Sequence, residues 1–249
     1  MKPEPLTMVP PTSGRIDVSP GLSIRADAAP LRLRDFGLIA FDMDSTLINI
    51  ECVDEIAAAA GRKAEVAAIT EAAMRGEIAD YKQSLRQRVA LLAGVPETYL
   101  CAVYHDTLRL NPGVQTLVER CKAAGLKTLL VSGGFTWFSD RIRDRLGLDY
   151  TRANKLEIVD GKLTGRLIDQ HWGDICDGDE KKRMLLQTCA QLGLAPQQAI
   201  AVGDGANDLP MMSVVGLSVA YHAKPLVQRQ AMVAITFGGM DRLLELMVD

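Results

Sequence analysis

The stretch of sequence that decides the fold is LIAFDMDST, residues 38–46. Its four apolar residues stop abruptly at Asp42, which is typical of a buried strand whose carboxyl end carries function. The same pattern recurs at residues 128–134 (TLLVSGG) and 199–205 (AIAVGDG). Each apolar run is too short for a typical buried helix and ends in small or acidic residues. We therefore predict buried parallel strands whose carboxyl ends carry the functional side chains.

Amphipathic segments that end at glycines separate these strands. We predict helices that begin near residues 111, 135 and 180 and end at Gly125, Gly147 and Gly193. Further strands are predicted at residues 217–220 and 233–236. Strands that alternate with helices imply a parallel sheet with right-handed crossovers. The predicted fold class is therefore α/β, with a doubly wound parallel sheet.

Residues 53–109 interrupt this alternation because they contain only helical signals. Glycines at positions 61, 76 and 94 end three segments, and Pro96 stands near the first turn of a fourth. We predict a helical bundle inserted after the first strand as a lid over the site. Six prolines without periodicity predict irregular structure for residues 1–35. The predicted segments are an irregular N-terminal arm (1–35), an α/β core (36–52 and 110–249) and a helical cap (53–109).

Composition and charge exclude several classes of protein. With 28 basic and 31 acidic residues the net charge is −3, which argues against a nucleic-acid partner bound through a broad basic surface. The five cysteines include no Cys-x-x-Cys pair, so neither a disulfide framework nor a structural zinc site is predicted. No stretch resembles a membrane span, and the first residues lack a signal-peptide pattern. We expect a cytoplasmic protein, monomeric or homodimeric, with no membrane partner.

Two acidic motifs follow predicted strands. Asp42 and Asp44 lie two residues apart where the chain leaves its first strand, so both carboxylates can face one small ligand. Residues 203–208 (GDGAND) place Asp204 and Asp208 after another strand, and carboxylates are the hard oxygen ligands that Mg²⁺ prefers. The alternative for the first motif is a solvated acidic turn. A dinucleotide-binding loop is excluded for the second motif, since the pattern Gly-x-Gly-x-x-Gly is absent.

An anion site and a lysine complete the set. Ser132 and the two glycines after it offer a hydroxyl and backbone N–H groups at a helix start, although a tight turn explains them equally well. Lys181 lies beside Lys182 in a charged cluster that, taken alone, is most often a solvated face. An aspartate that attacks a phosphate dianion meets about 4 kcal/mol of repulsion per close charge pair at an effective dielectric constant of 20. Mg²⁺ and a lysine together would offset this repulsion.

Four motifs in this order resemble those of the haloacid dehalogenase superfamily of phosphatases: residues 42–46 (DMDST), 132–134 (SGG), the downstream lysine and residues 203–208. The resemblance covers residues 36–249. It implies a Rossmann-like core with an inserted helical cap. It also implies a Mg²⁺-dependent phosphatase that acts on a small phosphate ester through an aspartyl-phosphate. Within the superfamily, the sequence DMDST followed by Glu51 resembles that of the branch whose members hydrolyse O-phospho-L-serine in the last step of L-serine biosynthesis.

The resemblance implies a role for each motif residue. Asp42 is the expected nucleophile, and Asp44 the expected general acid and base. Lys181 is preferred to Lys182 because the family's lysine is followed by two variable residues and an apolar pair, here Met184-Leu185. The residues expected to bind the phosphate, or to orient the substrate and the attacking water, are Ser132, Gly133, Lys181 and Asn207.

The resemblance also implies where Mg²⁺ would bind. The expected ligands are the side chains of Asp42 and Asp204 and the backbone carbonyl of Asp44. Asp208 is expected in support.

Two further residues are implied to recognise phosphoserine. Glu51 would bind its ammonium group, and Arg88 would bind its carboxylate, for which arginine offers a planar bidentate match. Without the resemblance both would be interpreted as surface charges. The chain departs from the family at residues 74–81, which are one residue longer than the usual spacing, and at Tyr81, where a phenylalanine is common.

Three alternatives stay open at this point. The first is a phosphotransferase that passes the phosphoryl group to homoserine or another small alcohol instead of water. The second is a phosphatase of the same superfamily for another small phosphate ester. The third is a non-catalytic binding module on the same scaffold, which is disfavoured because no catalytic position is missing.

Overall fold

A computed structural model describes residues 14–28, 30–74 and 80–248 of the chain. Within these residues one sheet contains nine strands: β1 (Arg15–Ser19), β2 (Leu22–Arg25), β3 (Leu38–Phe41), β4 (Lys127–Phe135), β5 (Tyr150–Val159), β6 (Lys162–Ile168), β7 (Ala199–Gly203), β8 (Leu217–Tyr221) and β9 (Val233–Ile235). Their order across the sheet is β1-β2-β9-β8-β7-β3-β4-β5-β6.

The centre of the sheet is parallel, as predicted. β3 pairs in parallel with β4 on one side and with β7 on the other, and Phe41 is in register with Leu130 and Val202. The parallel arrangement continues to β5 beyond β4 and to β8 and β9 beyond β7. The residues that follow β3, β4 and β7 therefore lie at the same edge of the sheet.

The helices of the described residues are α1 (Cys52–Ala59), α2 (Lys63–Met74), α3 (Tyr81–Ala90), α4 (Thr98–Ala102), α5 (Val114–Ala123), α6 (Thr136–Leu146), α7 (Gly178–Leu192), α8 (Leu209–Met212) and α9 (Pro225–Gln230). In the described part of the chain, none of them is long and apolar enough to cross a bilayer.

Helices cover both faces of the sheet, which confirms the doubly wound α/β prediction. Successive side chains of β3 point to opposite faces. Ile39 and Phe41 belong to a buried cluster with α5, α6 and the helical cap, whereas Leu38 and Ala40 belong to a second cluster with α7, α8 and α9. All four side chains are completely buried. A strand that is apolar on both faces is what the uninterrupted run LIAF required.

The predicted helix ends agree with the structure better than the predicted starts. Gly147 and Gly193 end α6 and α7 in the left-handed conformation, with φ of 62° and 68°. The start of α5 differs from the prediction, because its N-cap is Gly113 rather than Asn111. The Asn111 amide instead donates hydrogen bonds to the carbonyls of Thr46 (2.8 Å) and Ile48 (3.0 Å), and so holds the turn that follows β3.

Helices α1 to α4 lie between β3 and α5, where the cap was predicted. A β-hairpin made of β5 and β6, which the sequence analysis missed, supports them. Leu163 of β6 exchanges two backbone hydrogen bonds of 2.8 Å with the cap, from Gly94 N–H and to Val95 C=O. Residues 150–168 lack a continuous apolar run, but the Asp160-Gly161 turn, in which both residues have positive φ, is a strong hairpin signal. The boundaries of the predicted segments stay predictions.

The N-terminal arm differs from the predicted irregular structure over residues 15–25. β1 and β2 form an antiparallel hairpin, and β2 pairs with β9 at the edge of the sheet. The Arg15 side chain donates a 2.9 Å hydrogen bond to the Ala231 carbonyl. Without β2, the edge of β9 would leave backbone N–H and C=O groups unpaired. β2 forms hydrogen bonds with these groups, although prolines lie nearby in the sequence. Residues 1–13, and residues 75–79 with the predicted helix end at Gly76, lie outside the described residues.

Candidate active site

The ends of β3, β4 and β7 meet the helical cap around a cavity of about 400 Å³. From the core it is lined by Asp42, Asp44, Ser132, Gly133, Gly134, Phe135, Asp204, Gly205, Asn207 and Lys224. From the cap, and from the residue that precedes it, it is lined by Glu51, Val53, Asp54, Thr70, Tyr81, Leu85 and Arg88. Of the predicted site residues, Lys181 and Asp208 do not line the cavity, and Lys181 reaches it through Asp42.

Lys181 is the centre of a buried charge cluster. Its ammonium nitrogen lies 2.7 Å from Asp42 Oδ1 and 2.7 Å from Asp208 Oδ1, and its side chain is completely buried. Burial alone would lower the pKa of Lys181, but the Asp208 and Asp42 carboxylates outweigh it and hold that pKa well above its ordinary value. Lys182 is half-buried and lines a separate surface groove with Leu186.

Asp208 positions the acidic loop after β7. Its Oδ2 accepts hydrogen bonds of 3.1 Å from the backbone N–H groups of Asp204 and Gly205, while its Oδ1 receives Lys181. A side chain at Gly203 would collide with the Asp208 carboxylate, so glycine is required there. Because both of its oxygens are already engaged, Asp208 supports the loop, in line with the role expected for it.

The acidic cluster has the chemistry of a divalent-cation site. Single carboxylate oxygens of Asp42, Asp204 and Asp208 all lie within 4.8 Å of one another. Burial, together with the charges of Asp208 and Glu51, raises the pKa of Asp204 to about 7. Carboxylates crowded in this way repel one another unless a cation is added, and hard oxygen ligands suit Mg²⁺. The residues present therefore fit the predicted ion.

Asp44 lies against the glycines of β4. A Cβ at Gly134 would lie 2.8 Å from Asp44 Oδ2, so only glycine leaves room for this carboxyl group. Asp44 Oδ1 is buried and has no hydrogen-bond partner among the described residues. Burial, and next the charge of Glu51, raise the pKa of Asp44 to about 8. These surroundings therefore favour the protonated form of the carboxyl group.

The segment SGG lies within β4 rather than after it, which differs from the predicted strand end. β4 runs to Phe135, and its pairing with β5 shifts from Val131↔Arg152 to Phe135↔Asn154, so two extra residues bulge from the strand. Ser132 is completely buried, and its Oγ accepts the Gly134 N–H at 2.9 Å. The bulge directs this loop towards the cavity.

Glu51 and Ser45 connect the first motif to the cap. Ser45 has a positive φ of 55°, which turns the chain back after β3, and its N–H donates to the Ile50 carbonyl at 3.0 Å. The Ser45 hydroxyl donates a 2.6 Å hydrogen bond to Glu51 Oε1. Glu51 immediately precedes α1. The predicted ammonium-binding residue is therefore held by the turn that carries Asp44.

Arg88 reaches the same cavity from α3. Its Nε is buried and has no hydrogen-bond partner among the described residues. Burial raises the pKa values of Asp54 and Glu51, and the positive charge of Arg88 opposes both shifts. Arg88 therefore interacts electrostatically with both carboxyl groups. The structure thus brings the predicted acid and base, Glu51 and Arg88, to one cavity with the acidic motifs.

Lys224 and Tyr81 are among the cavity-lining residues to which the sequence analysis gave no role. Lys224 follows β8, and its backbone N–H donates a 3.0 Å hydrogen bond to the Asp204 carbonyl. The rule that functional side chains follow parallel strands could have found it. Tyr81 begins α3, and the only sequence signal was its departure from the family's phenylalanine.

The arrangement of these strand ends agrees with comparisons to known proteins. The family model "haloacid dehalogenase-like hydrolase" matches residues 39–213. The chain belongs to this family. It is 72% identical over 230 residues to a phosphoserine phosphatase of Polaromonas sp., which covers 92% of this chain and 98% of the relative. It is 69% identical to a phosphoserine phosphatase of Albidiferax ferrireducens over 92% of this chain and 97% of the relative.

Solved structures of this hydrolase family show the same fold. A substrate-bound phosphoserine phosphatase complex superposes with a TM-score of 0.77 at 36% identity, over 86% of this chain and 99% of that chain. The predicted membership of the haloacid dehalogenase superfamily is confirmed. No comparison tests the role of an individual site residue, so the roles given above stay predictions.

Proposed function

We propose that this hydrolase converts O-phospho-L-serine to L-serine and inorganic phosphate through an aspartyl-phosphate on Asp42. The observation that carries the proposal is one cavity that joins Asp42 and Asp44 on the core side to Glu51 and Arg88 near the cap. A phosphate ester with an ammonium and a carboxylate group matches this set of charges. The high identity to proteins named phosphoserine phosphatase supports the same substrate.

In the proposed first step, an oxygen of Asp42 attacks the phosphorus of the ester. The new bond joins Asp42 to phosphorus while the bond from phosphorus to the serine oxygen breaks. Asp44 gives its proton to the departing serine oxygen, which suits a carboxyl group whose pKa is about 8. Lys181, 2.7 Å from Asp42 Oδ1, favours the ionised form of the nucleophile and holds its orientation.

In the proposed second step, water hydrolyses the aspartyl-phosphate. Asp44, now a carboxylate, takes a proton from the water molecule as its oxygen attacks phosphorus, and the bond to Asp42 breaks. Phosphate leaves, and both aspartates return to their starting forms. Asn207 lines the cavity beside Asp204, where its amide can orient the water or the substrate.

The phosphate oxygens would be held mainly by residues 132–134, the bulge in β4 that we call the β4 loop. Ser132 Oγ accepts the Gly134 N–H, and its O–H donates to no other described residue, so it can donate to phosphate. Gly133 contributes backbone at a position where a side chain would collide with Tyr81. The direct contact of Lys181 with phosphate stays a prediction from the family resemblance.

Mg²⁺ would be held by the side chains of Asp42 and Asp204 and by the backbone carbonyl of Asp44. Bound there, the ion supplies positive charge that offsets the repulsion between the nucleophile and the phosphate dianion. The proposal is supported by the three carboxylate oxygens that lie within 4.8 Å of one another.

The substrate's amino-acid portion would be recognised near the cap. Arg88 offers a planar guanidinium for the carboxylate, and its unpaired Nε gains a partner when that group binds. Glu51 would bind the ammonium group. Burial of Glu51 raises the pKa of its carboxyl group and so disfavours its ionised form, and the positive charge of the ammonium group would favour that form.

The test is phosphate release from a set of small esters in the presence of Mg²⁺: phosphoserine, phosphothreonine, histidinol phosphate and p-nitrophenyl phosphate. We expect the largest kcat/KM for phosphoserine and loss of activity when EDTA removes the metal. No release from phosphoserine would contradict the substrate. Added homoserine distinguishes the phosphotransferase alternative, because transfer would form homoserine phosphate at the expense of free phosphate.

A cytoplasmic location, a place at the last step of L-serine biosynthesis and a monomeric or homodimeric state remain proposals from the sequence. Sedimentation of the purified protein over a range of concentrations would test the oligomeric state.

A further inference from the structure

The hydroxyl group of Tyr81 reaches from the cap to the loop at Ser132 to Gly134. The nearest atom to a Cβ built on Gly133 is the Tyr81 hydroxyl oxygen, at a distance far below van der Waals contact, and Tyr81 Cζ is only 3.2 Å away. Gly133 is one of the residues proposed to bind phosphate, and both residues line the cavity. The phenol oxygen therefore lies directly against the proposed phosphate loop.

This hydroxyl forms no hydrogen bond with another described residue, and two polar groups of the neighbouring loop are engaged elsewhere. The Gly133 carbonyl accepts the Asn154 amide at 2.7 Å, and the Gly134 N–H donates to Ser132 Oγ at 2.9 Å. Tyr81 is half-buried and lines the cavity, so a ligand there can serve as the partner that tyrosine hydroxyls normally have. The Cys176 carbonyl also lies near, 3.5 Å from the same Cβ position, but the phenol forms no hydrogen bond with it. The phenol O–H beside the proposed phosphate loop is therefore a donor that remains available to a ligand.

The protonation state suits a donor. Burial raises the pKa of Tyr81, while the charges of Lys181 and Arg88 oppose the shift. The hydroxyl therefore keeps its proton throughout the neutral range. The phenol therefore lies near enough to both Lys181 and Arg88 for their charges to act on it.

Ion pairs next to Tyr81 fix its position against the core. Lys82 Nζ lies 2.8 Å from Asp174 Oδ1, and an Arg86 guanidinium nitrogen lies 2.6 Å from Asp174 Oδ2. Asp174 belongs to the segment just before α7, the helix that carries Lys181. The first turn of α3 is thus attached to the core beside the charge cluster, which places the Tyr81 hydroxyl at the β4 loop.

We propose that Tyr81 is a further substrate-binding residue, whose hydroxyl donates a hydrogen bond to a phosphate oxygen from the cap side, opposite the donors of Ser132 and Gly133. The inference rests on the proposed function, since it takes a phosphate group to occupy the β4 loop. It concerns a departure from the family resemblance, in which a phenylalanine is common at this position. The phenol oxygen adds a donor that a phenylalanine lacks.

The test is Tyr81→Phe, which removes one oxygen atom and keeps the ring. We expect the dissociation constant for inorganic phosphate, measured by calorimetry with Mg²⁺, to rise about tenfold, since a hydrogen bond to a charged acceptor is lost. The KM for phosphoserine should rise by a similar factor. The melting temperature should not fall, because the hydroxyl has no protein partner.

Tyr99→Phe is the matched control, because Tyr99 is another half-buried tyrosine of the cap that does not line the cavity. Unchanged phosphate binding and unchanged KM in Tyr81→Phe would overturn the inference. A fall in melting temperature with unchanged phosphate binding would assign the hydroxyl to the fold and would also overturn it.

The phosphate measurement separates this inference from the proposed function. If the wild-type protein does not hydrolyse phosphoserine and Tyr81→Phe still weakens phosphate binding, the substrate proposal fails and the inference stands. If the wild-type protein hydrolyses phosphoserine and Tyr81→Phe binds phosphate equally well, the inference alone fails.

Discussion

The two sides of the cavity are built differently. On the core side, Lys181 is completely buried between the carboxylates of Asp42 and Asp208, and both Asp208 oxygens accept hydrogen bonds. On the cap side, the buried Arg88 Nε has no hydrogen-bond partner among the described residues, and Tyr81 lines the cavity without a hydrogen bond from its hydroxyl to any of them. The buried charge cluster around Lys181 is held in place before substrate arrives, as charge stabilisation in the transition state requires. The cap groups depend on the substrate for their partners, as substrate recognition requires.

The sharpest way to test the core side is Asp42→Asn, for which we expect the largest effect. A neutral amide cannot act as the nucleophile, so kcat should fall by at least about 10⁴-fold. The melting temperature should stay within a few degrees of the wild type, because the amide fills the same space and Lys181 keeps its ion pair with Asp208. Activity close to that of the wild type would contradict the proposed aspartyl-phosphate.

The second prediction concerns the buried charge cluster. Lys181→Met leaves the carboxylates of Asp42 and Asp208 buried without their cation, so the free energy of unfolding should fall by about 3–5 kcal/mol. Lys182→Met is the matched control, since Lys182 is half-buried in a surface groove. Its unfolding free energy should change by about 0.5 kcal/mol or less. Equal urea midpoints for the two variants would mean that Lys181 does not stabilise the buried charge cluster.

The third prediction tests the cap side. Arg88→Ala should raise the KM for phosphoserine by roughly 10- to 100-fold, the loss expected for hydrogen bonds to a charged carboxylate. The KM for p-nitrophenyl phosphate, which has no carboxylate, should change little. Arg88→Lys keeps the charge but not the planar pair of donors, so it should recover only part of the loss. An equal rise of KM for both esters would make Arg88 a structural residue.

The smallest expected effect is that of Asp174→Asn, which weakens the attachment of α3 to the core. Lys82, Arg86 and Asp174 are all partly exposed, and exposed ion pairs contribute about 0–1 kcal/mol each, so KM should rise less than about fivefold. Unchanged kcat with a higher KM, and a smaller difference from the wild type at high salt, would support the attachment. A large fall in kcat would show that Asp174 acts on the core side.

The effect of Asp174→Asn on KM should not depend on pH between 5 and 9. The hydrogen bond from Lys82 lowers the pKa of Asp174 from 3.8 to about 2. A lowered pKa in the folded state means that the contribution is fully present above about 4 and is lost as the pH falls through about 2. Steady-state KM values of Asp174→Asn and the wild type, measured across pH 5 to 9, would keep a constant ratio.

Much of the core could be predicted because its signals are local. Strands β3, β4 and β7 each join a short apolar run to a polar or acidic motif, and this pattern is visible within nine residues. The left-handed glycines that end α6 and α7 are equally local, since only their own backbone conformation matters. Strand edges are less local. The prediction of an irregular arm is wrong for β1 and β2 because their pairing with β9 joins segments about 210 residues apart in the chain.

The choice between Lys181 and Lys182 illustrates the difference at a single residue. As a sequence, the cluster EKKR is that of a solvated helix start, and the residues alone favoured neither lysine. In the fold, α7 packs against the sheet so that Lys181 faces the core beside Asp42 and its neighbour faces outwards. The family's motif spacing could suggest that Lys181 is the functional lysine. Only the packing of α7 against the sheet brings Lys181 to its partners, Asp42 and Asp208.

By itself, the sequence determined the parallel α/β core and the three strand ends where the charges meet, because apolar runs and the motifs after them are properties of short segments. Only the tertiary structure decided which charges are buried together, that β4 carries its SGG segment on a bulge, and that the Tyr81 hydroxyl touches Gly133. Those contacts join residues far apart in the chain. Their energies depend on burial and on the neighbours that packing supplies, which no local pattern contains.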